Sequence, residues 1–73
     1  MRIRIYSKQE LALMYFPKSK PHTAVNHLMR WINRCGQLRS ELEAAHYRPS
    51  NRYFTARQVQ LIVDYLGFPV SVQ

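Results

Sequence analysis

Apolar and polar residues alternate from Met1 to Tyr6, with Ile3 and Ile5 on one face and Arg2, Arg4 and Tyr6 on the other. A period of two predicts a short half-buried strand, for which Val70-Ser71-Val72 and Arg52-Tyr53-Phe54 are the candidate partners. The period changes at Ser7. Ser7-Lys8-Gln9-Glu10 has the form of a capping box, in which hydroxyl and carboxylate satisfy each other's backbone amides. Leu11, Ala12, Met14 and Tyr15 then make the apolar set of a first helix. It should stop near Phe16, because Pro17 disfavours helical geometry in the residue before it. Pro17 to Pro21 is a basic turn containing Lys18, Ser19 and Lys20. Ser19 or Thr23 is placed to cap a second helix, whose first turn tolerates Pro21. From there to about Arg34, Ala24, Val25, Leu28, Met29, Ile32 and Cys35 form a wide apolar stripe, with Thr23, Asn26, His27, Arg30, Asn33 and Arg34 opposite. Gly36 stands where a left-handed terminating residue is wanted.

Leu38, Leu42 and Ala45 define a third helix over roughly 37–46, followed by the turn-rich basic loop Arg48-Pro49-Ser50-Asn51-Arg52. Thr55-Ala56-Arg57-Gln58 repeats the capping-box logic ahead of a fourth helix carrying Val59, Ile62, Val63 and Leu66, which Gly67 and Pro69 end. Trp31 borders the second helix's stripe. Tyr47, Phe54 and Tyr65 are spaced to pack between helices; Tyr15 and Tyr53, the two rings with stacking on bases as an alternative, are read as core or partial core. The fold class is therefore mostly α: a compact bundle of about four short helices, with a possible N-terminal strand. It forms one domain, 1–73, with a helix-turn-helix-like unit at about 7–35 and a helical pair at about 37–67.

Charge narrows the partners. Eleven Lys+Arg stand against four Asp+Glu, a net charge of +7 on 73 residues. Such a field favours nucleic acid, an acidic protein or an anionic membrane, or serves solubility alone. Double-stranded DNA is the expected partner, with an acidic protein or a second copy of the chain as the alternative. No membrane contact is expected, because the longest apolar run, 11–16, is far short of the ~20 residues of a span. A single cysteine and no signal-peptide pattern point to the cytoplasm. Cofactors, metals and catalysis are not expected. Glu10, Glu41 and Glu43 have structural roles as capping or solvated residues, and Cys35 ends an apolar stripe. His22, His27, Cys35 and His46 lack the pairing of a zinc site.

The candidate binding residues lie on the outer face of the second helix and beside it. Thr23, Asn26, Arg30 and either Asn33 or Arg34 recur at three- and four-residue spacing. Arginine and asparagine are the side chains that form bidentate bonds to guanine and adenine edges. Lys8, Lys18 and Lys20 stand where backbone phosphates would run, and Arg48, Arg52 and Arg57 flank the second basic loop.

Ser7–Pro17, Ala24–Ile32 and Tyr53–Pro69, with Arg30-Trp31-Ile32 and Leu66-Gly67 among their marks, resemble a family of short Bacteroidota proteins classed as a domain of unknown function. That resemblance covers nearly the whole chain and implies a compact helical domain. Separately, Ser7 to Ile32 resembles the opening of excisionase-type helix-turn-helix domains, with Ala12 as the inner alanine and Val25 as the buried residue of the second helix. The interval between them is longer than in the compact motif, and no glycine occupies the turn.

Overall fold

The computed structural model describes residues 1–69. Their order is β1 (Tyr6–Ser7), α1 (Lys8–Tyr15), α2 (Pro21–Arg34), α3 (Gly36–Ala44), β2 (Tyr53–Phe54) and α4 (Ala56–Leu66). The fold is mostly α, as the periodicity predicted. β1 and β2 pair antiparallel, Tyr6 with Phe54 and Ser7 with Tyr53. Of the two predicted partners the structure selects Arg52-Tyr53-Phe54; Val70-Ser71-Val72 lies outside the described residues.

Both capping boxes form. Ser7 Oγ accepts from the Glu10 amide at 3.0 Å while Glu10 Oε1 accepts from the Ser7 amide at 2.9 Å. Thr55 and Gln58 make the same exchange at 3.2 and 3.0 Å. The Ser7 amide also holds the Glu10 carboxyl below its ordinary value of 4.5. α2 begins differently from the expectation. Its N-cap is Lys20, with Pro21 as the first helical residue and no side-chain cap, so neither Ser19 nor Thr23 plays that part.

Leu11 and Ala12 of α1, Ala24, Leu28 and Ile32 of α2, Leu38 and Leu42 of α3, and Val59, Ile62 and Val63 of α4 converge on one core. Phe54 sits among them, stacked on Tyr47 with centroids 5.4 Å apart. Each fully buried aliphatic side chain contributes on the order of 1.5–3 kcal/mol. The one buried polar residue among those described, Gln58, is satisfied: beyond its capping bond, its Nε2 donates to the Ala45 carbonyl at 2.9 Å, joining α4 to the end of α3.

Four sequence expectations are corrected. The N-terminal alternation does not set the faces: Tyr6 is buried and Ile5 is 55% exposed. Only Tyr6–Ser7 pairs, because Ser7 is already the cap of α1, and among the described residues no second strand runs beside the chain before Tyr6 to impose a period of two. Instead the Tyr6 hydroxyl donates to the Arg2 carbonyl at 2.8 Å and the Arg4 guanidinium covers its ring at 4.0 Å. Gly36 is not a left-handed terminator; it is the first residue of α3, and among the described residues those with positive φ are His46 and Gly67. Tyr65 is exposed rather than packed between helices, its hydroxyl donating to Glu41, which raises its pKa to about 12. Tyr53 is exposed, since its neighbour Phe54 takes the inward position of β2.

Candidate nucleic-acid interface

α1 and α2 pack across the turn 16–20. Phe16 closes that turn, its amide donating to the Ala12 carbonyl at 2.8 Å. Its ring lies 4.8 Å from Trp31 and 5.3 Å from His27, and Tyr15 meets Trp31 edge-on at 6.3 Å. The Tyr15 hydroxyl donates to the Gly67 carbonyl at 2.6 Å, and burial pushes its pKa up to about 12. These ring contacts hold the end of α1 and the turn against the middle of α2.

With Leu28 and Ile32 inside, Arg30 is turned roughly 160° from Leu28 at 100° per residue. Thr23, Asn26, Arg30 and Arg34 are all exposed on this outer face. Asn26 Nδ2 touches His22 Nε2 at 3.4 Å. Arg30 and Arg34 have no hydrogen-bond or ion-pair partner among the described residues. Asn33, the alternative to Arg34, is engaged: its Oδ1 accepts from the Arg39 guanidinium of α3. Lys18 and Lys20 are exposed in the turn at the start of this face, where no side chain answers the amides of the first turn of α2.

Lys8 stands apart from these lysines. Its Nζ donates to the Pro49 carbonyl at 2.9 Å and lies 5.1 Å from the centroid of Tyr47, tying α1 to the loop after α3. Arg48 and Arg52 are exposed in that loop. Lys8 and Arg52 share a cleft of about 500 Å³ with His22, Val25, Asn51 and Tyr53. The predicted residues thus divide into an α2 face with its turn and a cleft beside it. The sequence pattern gives His22 no binding role and favours the core over base stacking for Tyr53. Nothing in their sequence neighbourhoods signals a meeting between segments about thirty residues apart.

The charge is unevenly divided. Residues 1–35 hold seven Lys+Arg against Glu10 alone, whereas 36–73 hold four against Glu41, Glu43 and Asp64. No carboxylate stands on α2. Among the described residues no three His, Cys, Asp or Glu side chains gather as metal ligands, and no helix is long and apolar enough to cross a membrane.

A family model described as "Domain of unknown function (DUF4248)" matches residues 2–69. The chain belongs to the DUF4248 family. No curated protein and no solved structure matched it. The matched span of this DUF4248 domain contains every element of the fold, both capping boxes and every residue of the α2 face.

Proposed function

We propose that this DUF4248 chain is a non-enzymatic DNA-binding protein with an accessory or regulatory role, using α1 and α2 as a helix-turn-helix. α2 enters the major groove; Asn26, Arg30 and Arg34 meet base edges, with Thr23 beside them, and Lys18 and Lys20 hold phosphates. Arg48 and Arg52 reach the flanking backbone. The observation that carries this reading is the outer face of α2: exposed, free of carboxylates, and offering two arginines without a partner among the described residues. An amphipathic helix that is merely solvated commonly pairs its charges at i,i+4, as Arg39 does with Glu43 on α3 at 3.6 Å. α2 has no acid with which to do so.

Fluorescence anisotropy with a labelled duplex provides the test. With about four phosphate contacts, log K should fall with log salt at a slope of about −3.6. Arg30→Glu combined with Lys18→Glu should abolish binding while circular dichroism remains unchanged. Absence of duplex binding up to ~100 μM protein at ~50 mM salt overturns the reading. A protein-interaction module or homodimer is the second reading, favoured by the exposed Phe68 and Trp31. Under that reading light scattering would report a dimer, or Phe68→Ser would remove partner binding and leave the double charge reversal without effect.

A further inference from the structure

The cleft beside α2 has a composition of its own. Its walls come from three parts of the chain: Ser7, Lys8 and Gln9 at the start of α1, His22 and Val25 on α2, and Pro49, Asn51, Arg52 and Tyr53 before and within β2. Two permanent cations and an imidazole line it, and no carboxylate does. Tyr53 is 57% exposed, although tyrosine has a large ring to hide. Its place is fixed all the same, because Ser7 and Tyr53 are paired residues of the sheet. Lys8 is held as well. The Pro49 carbonyl takes one of its three N–H donors and the Tyr47 ring lies beneath it, so an ammonium with two donors to spare is positioned in advance of any ligand.

We infer that this cleft binds a nucleotide, with the base laid on Tyr53 and the phosphate between Lys8 and Arg52. A fixed cation lowers the cost of ordering a phosphate-binding side chain. An exposed ring beside cations is the arrangement by which proteins hold bases of unpaired strands, whatever their sequence. Small-molecule sites span roughly 300–1,000 Å³, and the cleft falls within that range. Gln9 and Asn51 add amide groups able to donate to or accept from a base edge. The ligand comes either as a free mononucleotide or as one unpaired nucleotide of a strand. This site is separate from the outer face of α2 and does not depend on a duplex lying there.

The test titrates ¹⁵N-labelled full-length protein with AMP, with a ten-residue oligothymidylate, with inorganic phosphate and with hexaglutamate, following amide shifts. Signals of His22, Val25 and Tyr53 should move together and saturate with AMP or the oligonucleotide, and whichever saturates at lower concentration identifies the source. Tyr53→Ala should weaken that affinity about 5- to 150-fold, the range for loss of one stacked base. Tyr53→Phe should retain it, and Arg52→Ala should weaken it, since each removes or keeps one of the two recognised chemistries. Arg30→Ala with Arg34→Ala should leave nucleotide affinity unchanged, and Tyr53→Ala should leave blunt-duplex affinity unchanged. The inference falls if neither nucleotide saturates the cleft by ~5 mM, or if Tyr53→Ala changes affinity less than twofold. It falls equally if inorganic phosphate or hexaglutamate binds as tightly as the nucleotides.

Discussion

His46 holds the left-handed backbone that ends α3, with φ 68°. Its amide donates to the Glu43 carbonyl at 3.0 Å and the Tyr47 amide to that of Leu42 at 2.9 Å, the two bonds of a Schellman ending. Leu42 and Tyr47, the positions whose apolar contact commonly accompanies this ending, are both buried. Glycine is the usual residue here because a Cβ in this conformation costs roughly 1–2 kcal/mol. Nine residues are enough to separate the glycine signal from the position that needs it: Gly36 opens α3 at a negative φ, where an added Cβ would meet nothing within 4 Å. His46→Gly should therefore raise stability by about 1 kcal/mol, and Gly36→Ala by about 0.4–1 kcal/mol through the unfolded chain. Gly67→Ala should lower it by on the order of 1–3 kcal/mol, since φ 82° with ψ 170° is open essentially to glycine alone. Urea denaturation of the three variants checks all of these signs. Gly67 was legible as a terminator; His46 was not, because tertiary packing of Tyr47 holds a conformation that its own propensity opposes.

At the scale of elements, α1 and α4 were readable from their caps and α2 from its stripe, since each signal is local. The boundaries of α3 and the faces of the first six residues were not, because Cys35 serves as both the end of α2 and the start of α3, and Tyr6 is buried by contacts with Arg2, Arg4 and β2. The two capping boxes differ in one respect that pH exposes. Glu10 is an acid whose folded-state pKa is depressed, chiefly by the Ser7 amide. Its contribution is present in full above 4.5 and is lost as pH falls through the lower folded value. Gln58, in the corresponding place on α4, does not titrate. Acidification from about pH 5 to pH 3 should thus loosen α1 before α4. Glu10→Gln should flatten the fall of the urea midpoint over that interval; an unchanged slope would show that the box does not sense pH.

For the molecule as a whole, the uneven division of charge separates a local contact from a general field. Arg57 lies on α4 beside Glu41 and Leu61, in the half where acids nearly balance bases. Arg57→Glu and Arg30→Glu change the net charge equally. If duplex binding uses α2, Arg57→Glu should weaken it less than about threefold at ~150 mM salt, where exposed charges more than about 8 Å apart are largely screened. Arg30→Glu should weaken it at least tenfold under the same conditions. Equal losses in anisotropy titrations would reduce the interface to bulk attraction. The overall positive balance and the α2 face were visible in the chain from the spacing of Asn26, Arg30 and Arg34. The cleft was not, because it is made by Lys8 reaching Pro49 across most of the chain.

That reach bears on how independent the first two helices are. The small sheet joins residues 6–7 to 53–54, and the Lys8 amide bonds the Arg52 carbonyl at 2.9 Å, so α1 is seated by a segment that emerges late in synthesis. Eight residues are too few for a helix to persist in water by itself. A ribosome that has released only the first half of the chain has made the outer face of α2 but not the clasp that seats α1 against it. Transplanted to another scaffold, that half would arrive as an uncommitted peptide.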